Sequence, residues 1–101
     1  MDYAVIRRYR FDPDASEEIS RRIRDAFVYL LEKTPGFISY TWLDTGEGEG
    51  ASLSVFRDKA GAEESVRIAA HFVEQHLATL LGTPEIIQGE VRIRSHVAHA
   101  A

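Results

Sequence analysis

The sequence predicts an α+β fold: a ferredoxin-like βαββαβ sandwich, with a four-stranded antiparallel sheet carrying two helices on one face. Three observations lead there. Segments 14–33 and 58–82 place apolar residues at helical spacing, and the stretches around them alternate with a period of two. Thr34-Pro35-Gly36 cuts the first helix, because Pro35 restricts the residue before it and donates no N–H, while Gly36 accepts positive φ. The strands are apolar or aromatic at both parities, so something must cover the sheet face that the helices leave open.

Strand one, Tyr3 to Phe11, puts Tyr3, Val5, Tyr9 and Phe11 on one face and Ala4, Ile6, Arg8 and Arg10 on the other. Asp12-Pro13-Asp14 opens the first helix, with Asp12 or Asp14 as N-cap and Pro13 suited to a first helical position. Its stripe is Ile19, Ile23, Ala26, Phe27, Leu30 and Leu31. Residues 37–43 then form an aromatic and β-branched strand, 46–50 a polar turn, and 52–56 a third strand, so the pair is a hairpin. Asp58 caps a second helix in which Ala62, Val66, Ala69, Ala70, Val73, Leu77, Leu80 and Leu81 share a face, and Gly82 and Pro84 end it. Ile68 and Phe72 lie well round from that face and point to a second buried surface, a subunit contact. The last strand starts between Glu85 and Glu90 and alternates well from Val91, carrying Arg92 and Arg94; residues 99–101 are expected to fray.

With 101 residues and 45% hydrophobic content, the chain is expected to be one domain over 1–101. It has no Cys, hence neither disulfides nor thiolate chemistry. A net charge of −4 argues against nucleic acid, which needs an excess of Lys and Arg on one face. Arginines 7, 8, 10, 21, 22, 24, 92 and 94 are expected to be solvated or paired with neighbouring carboxylates. The N-terminus lacks the apolar region of a signal peptide, and no window approaches the roughly 20 apolar residues of a membrane span. The expected location is the cytoplasm, with no membrane partner. There is no Asn.

Thr34-Pro35-Gly36-Phe37, the aromatic strand after it, the Val55-Phe56-Arg57-Asp58 entry into helix two, and Ala69-Ala70-His71-Phe72-Val73-Glu74-Gln75-His76-Leu77 together resemble the antibiotic biosynthesis monooxygenase (ABM) domains of the dimeric α+β barrel superfamily. The match covers nearly the whole chain. The resemblance implies a homodimer packed sheet on sheet and, in the enzyme members, oxidation of a quinol, anthrone or polyketide-like aromatic by O₂ with no metal, flavin or other cofactor. An electron-rich phenolate can reduce O₂ itself, so the protein need only ionise it, hold it dry and stabilise the anions formed. A haem-degrading branch of the superfamily uses an Asn on strand one with a Trp and a His on helix two. This chain lacks Asn, has its only Trp on strand two, and holds Leu81 where the haem-ligating His would stand, so haem degradation is not expected.

Trp42 can stack on a planar substrate, and Tyr40, two residues away on the same face, must go where Trp42 goes, into a pocket or a dimer interface. Tyr9 is a further hydroxylated aromatic. His76, about 80° from the centre of the apolar face at 100° per residue, is the candidate base, and a structural role at the core margin competes with that reading. His71 matches the resemblance but points away from the main face, towards Ile68 and Phe72. Arg92 is a candidate phenolate or carboxylate holder, with an ion pair to Glu90 as the competing reading. Neither the His71 and His76 pair nor the His96 and His99 pair has metal-ligand geometry, and no metal is expected. The competing function is a non-catalytic dimeric module that binds a small ligand or serves structure. An RNA-binding sheet is disfavoured by the acidic balance, and an acylphosphatase by the missing Asn.

Overall fold

The computed structural model describes residues 1–97; the expected fraying of 99–101 lies outside the described residues. The first strand, β1 (Tyr3–Arg10), is followed by a helical arm entered through a 3-10 turn at Pro13–Ala15, with the Asp12 side chain accepting from the Asp14 N–H. That arm comprises α1 (Ser16–Arg22), a π-helical turn (Ile23–Phe27) and α2 (Val28–Glu32). Strands β2 (Phe37–Asp44) and β3 (Glu49–Phe56) form the hairpin. A second arm, α3 (Lys59–Phe72) continued by another π-helical turn (Val73–Leu77), leads to β4 (Glu85–Glu90). All pairings are antiparallel and the order is β2-β3-β1-β4, so the fold is the ferredoxin-like α+β sandwich.

The two π turns explain what a straight-helix reading places wrongly. In the first arm the buried residues are Ile19, Ile23, Phe27 and Leu31, one every fourth position, while Ala26 and Leu30 face outward. At 3.6 residues per turn, each four-residue step would drift by about 40°, and a wider π turn absorbs that drift. In the second arm the buried face is Ala62, Ser65, Ala69 and Phe72, then Leu77 and Leu81. The π turn between Phe72 and Leu77 inserts one residue and rotates the face by about 100°. Phe72 therefore belongs to the main core and to no separate subunit contact, Val66 and Val73 sit half-exposed at its margin, and Ala70 faces out.

Three further boundaries differ from expectation. Glu49 and Gly50 belong to β3, because Gly50 pairs with both Tyr9 and Asp44. Gly36, Gly46 and Gly48 take the positive φ of the turns, whereas Gly82 does not, so α3 and its π turn end without a left-handed cap. The last strand ends at Glu90, opposite Tyr3. Beyond the Val91 N–H bond to the Asp2 carbonyl the pairing with β1 stops, and residues 92–97 lie exposed with no ladder despite their alternation.

The core lies between the helical arms and one sheet face. On the opposite face, Leu53 pairs with Ile6 and with Thr41, and Ile6 pairs with Ile87, so one row of exposed side chains crosses all four strands. Ile87 is 65% exposed.

Candidate active site

Alternation on β1 sends Val5, Arg7 and Tyr9 towards the helices together. On β3 the same face carries Ser52 and Ser54, and on β2 it carries Tyr40 and Trp42. A bulge between Phe37 and Ser39 takes up the extra residue Ile38, so that Phe37 also turns to the core beside Phe56. From above, the first π turn supplies Ile23 and Phe27, and the second supplies Val73 and Leu77. These side chains, with Ser65, Ala69 and Phe72, enclose a cavity of about 30 Å³. Both helical irregularities thus lie over one site, and π turns recur at functional sites.

The aromatic lining falls into two groups of rings. Trp42 lies 6.1 Å from Tyr9 and 6.3 Å from Phe11, and Phe27 lies 5.5 Å from Tyr40 and 5.1 Å from Phe72, centroid to centroid. Gly50 makes this possible. A Cβ there would stand 2.7 Å from Trp42 Cζ2, so only glycine lets the indole lie across β3 to meet Tyr9.

Arg7 gives the site its charge. It is 6% exposed, yet no carboxylate lies within salt-bridge distance among the described residues. Its Nη2 donates to the Val66 carbonyl at 3.3 Å, while Nη1 has no partner. Trp42 Nε1 is a second buried donor without an acceptor. Two buried donor nitrogens on residues that line the cavity are therefore left without a partner, against the general rule that buried donors are paired. The expectation that Arg7 is solvated or paired does not hold, because it shares the parity of Val5 and Tyr9 on a buried face.

Burial pushes the pKa of both phenols up. Tyr40 is pushed well above its ordinary value by desolvation first and by neighbouring Tyr9 second, against which the Ser52 hydroxyl and the Arg7 charge pull down. Tyr9 is raised by desolvation, with Arg7 opposing. Both therefore remain neutral hydrogen-bond donors at physiological pH. A tyrosine raised in the folded state adds stability that is fully present below its unfolded value of about 10 and lost as pH climbs through the folded value. Stability is expected to fall above pH 10, and Tyr40→Phe to flatten that fall. Chemical denaturation at pH 9 and pH 11 checks this, and equal slopes in variant and parent would refute it.

The structure thus gathers Tyr9, Tyr40, Trp42 and Phe72 at one cavity. It does not bring the other candidates there. His71 is exposed. His76 is exposed as well, with its ring 4.8 Å from Phe72 on the outer side, in a surface depression beside Arg22 and Asp25, because the π turn rotates it away from the apolar face. Arg92 lies beyond β4 and pairs with Glu90 at 3.6 Å, its competing reading. Arg7, Ser52, Ser54 and Ser65 escaped the sequence reading. Their one signal was polar residues at core parity, which a search for apolar alternation discards.

An open groove of about 480 Å³ adjoins the cavity between the second arm and β4, lined by Val66, Ala70, Ile86 and Pro84 with Glu74 on its wall. Arg7, Tyr9, Val73 and Leu81 are common to groove and cavity. Among the described residues, no helix is long and apolar enough to cross a membrane.

Comparison with solved structures gives the same fold throughout. A protein of unknown function from Nitrosomonas europaea superposes with a TM-score of 0.78 at 23% identity, over 97% of this chain and 96% of that one. The ActVA-Orf6 monooxygenase of Streptomyces coelicolor, in complex with nanaomycin D, gives 0.75 at 13% identity over 95% and 92%. SnoaB, a cofactor-independent oxygenase from Streptomyces nogalater, gives 0.67 at 17% identity over 92% and 95%. No curated protein matches the sequence. The antibiotic biosynthesis monooxygenase family model matches residues 2–78, and with three-quarters of its length so matched this chain belongs to that family.

Proposed function

We propose that the chain is a monooxygenase that oxidises a small quinol, anthrone or polyketide-like aromatic with O₂. The observation that supports this reading is the aromatic cavity holding an unpaired cation, two neutral phenols and an unused indole N–H. In the reaction, a ring CH₂ or C–H carbon of the ionised substrate loses electrons to O₂. One oxygen atom stays on that carbon as a carbonyl and the other leaves as water, so the substrate itself is the reductant.

Each group has a task that its environment suits. The Arg7 charge favours negative charge on the substrate, and in a dry site that effect is larger than in water. Tyr9 and Tyr40, held un-ionised, donate to the oxyanion or peroxide as charge develops there. Trp42 and Phe27 close the inner side of the cavity. The substrate proton leaves by the groove, where Glu74 is the carboxylate at hand. No such task falls to His76 or His71.

A cavity of about 30 Å³ matches a single water-sized molecule, so the aromatic body enters from the groove. That small volume also favours the second reading, a non-catalytic module that binds a small ligand. Oxygen uptake separates the two. With anthrone, one O₂ is expected to disappear per carbonyl formed, above the rate without protein. Uptake no faster than that blank would discard the oxygenase reading. His76→Ala is expected to keep kcat/KM within about twofold.

The partner proposed for the open sheet face is a second copy of this chain. In its row Leu53, Ile6 and Ile87 are apolar and in register with Thr41, and an isologous dimer covers the same row on both copies. Residues 92–97, with Ile93 91% exposed, continue beyond the same edge without a partner strand. Ile6→Lys is expected to convert a dimer to a monomer in sedimentation velocity. An unchanged sedimentation coefficient would contradict the assignment of this face.

A further inference from the structure

Resting on that reading of the reaction, we infer that the closed cavity is a separate binding site for dioxygen: the gas occupies the cavity, the aromatic body stays in the groove, and the two meet at the shared residues Arg7, Tyr9, Val73 and Leu81. Size divides the two places. A volume of about 30 Å³ holds one molecule little larger than water and no ring, whereas the groove of about 480 Å³ has room for rings. Val73 and Leu81 form the partition, which a diatomic gas crosses by side-chain motion and a ring does not.

Polarity selects the gas over water. The helical side of the cavity is hydrocarbon, from Ile23, Phe27, Leu31, Ala69, Phe72 and Leu77. Arg7 Nη1 and Trp42 Nε1 add no partner, because both are sealed against contact, and the Ser65 hydroxyl is spent on the Ala62 carbonyl at 2.6 Å. Water on that side gives up hydrogen bonds that it cannot replace, whereas O₂ has none to lose, which is why apolar cavities stay dry and take up apolar guests. The sheet side then distinguishes the gas from its reduced form. As the substrate anion passes electrons to O₂, negative charge appears where Tyr9 and Tyr40 bring neutral hydroxyls. Arg7 acts on that charge through its field in a low-dielectric interior and needs no contact with it.

Methyl NMR of the full chain, under O₂ pressure and then under N₂ pressure, tests this without turnover, since O₂ is paramagnetic. Methyls of Ile23, Leu31 and Leu77 are expected to relax faster under O₂ by a larger increment than those of Ile93 and Val97, which are exposed and meet only dissolved gas. An increment at the cavity methyls no larger than at the exposed ones overturns the inference without recourse to a variant. Ala69→Leu, which fills the cavity from a position outside the groove lining, is expected to abolish the excess, and an excess retained there overturns it also. In oxygen uptake the same variant is expected to raise KM for O₂ about 10-fold while KM for anthrone stays within about twofold. The two readouts separate the gas site from the reaction. A cavity excess with no uptake above the blank leaves the gas site standing and removes the oxygenase, and uptake without a cavity excess does the reverse.

Discussion

Arg7→Met is expected to raise the thermal midpoint of the ligand-free protein and to lower kcat/KM by about 100-fold, the size of effect seen when one preorganised charge-stabilising donor is removed. Both changes have one cause. The guanidinium sits in the core with one nitrogen bonded to the Val66 carbonyl, another unbonded and no carboxylate beside it among the described residues. Methionine fills a similar volume without a charge to desolvate, and replacing buried ionic groups by apolar ones gains about 1–4 kcal/mol. For a domain of this size that is a rise of several degrees at about 4 °C per kcal/mol. Calorimetric scanning and oxygen uptake on one preparation check the two halves. A variant less stable than its parent would mean that Arg7 is structural, and one with full turnover would remove it from the reaction.

Phe56→Ala is expected to cost about 3–5 kcal/mol, the range for truncating a buried aromatic. Phe56 is fully buried, packs edge-on against Phe37 at 6.0 Å, and reaches so close to Gly61 that a Cβ there would lie 3.2 Å from its ring. It ties the end of β3 to the start of α3, and the glycine beside it leaves no side chain to collapse into the void. A loss of that size is a large share of the roughly 5–15 kcal/mol that holds a domain together. Urea denaturation measures it, and a loss under about 1 kcal/mol would show that the site repacks.

Local chemistry made much of the architecture legible. Thr34-Pro35-Gly36 ends the first helix because its backbone constraints act within three residues, and Gly36 does take positive φ. Asp58 caps α3 through the Gly61 N–H at 2.9 Å, as its side chain dictates. The shared parity of Tyr40 and Trp42 also follows from strand geometry alone, and both do line one cavity. Errors of placement began where a pattern had to be carried across a helix. Counting 100° per residue puts His76 on the apolar flank, and one inserted residue in the π turn of Val73–Leu77 turns it to the surface.

The sequence by itself determined the elements, their order, the helix stop at Pro35-Gly36, the Asp58 cap and the family, because each rests on interactions within a few residues or on a pattern repeated along one element. Tertiary structure alone decided which polar groups became the site. Arg7 reads like its neighbours Arg8 and Arg10 in the chain, and only the packing of both helical arms over β1 removes it from water while Arg8 reaches out to Glu49. Burial is a property of what lies opposite, set by residues some 60 positions away at Val66, and no local rule carries that information.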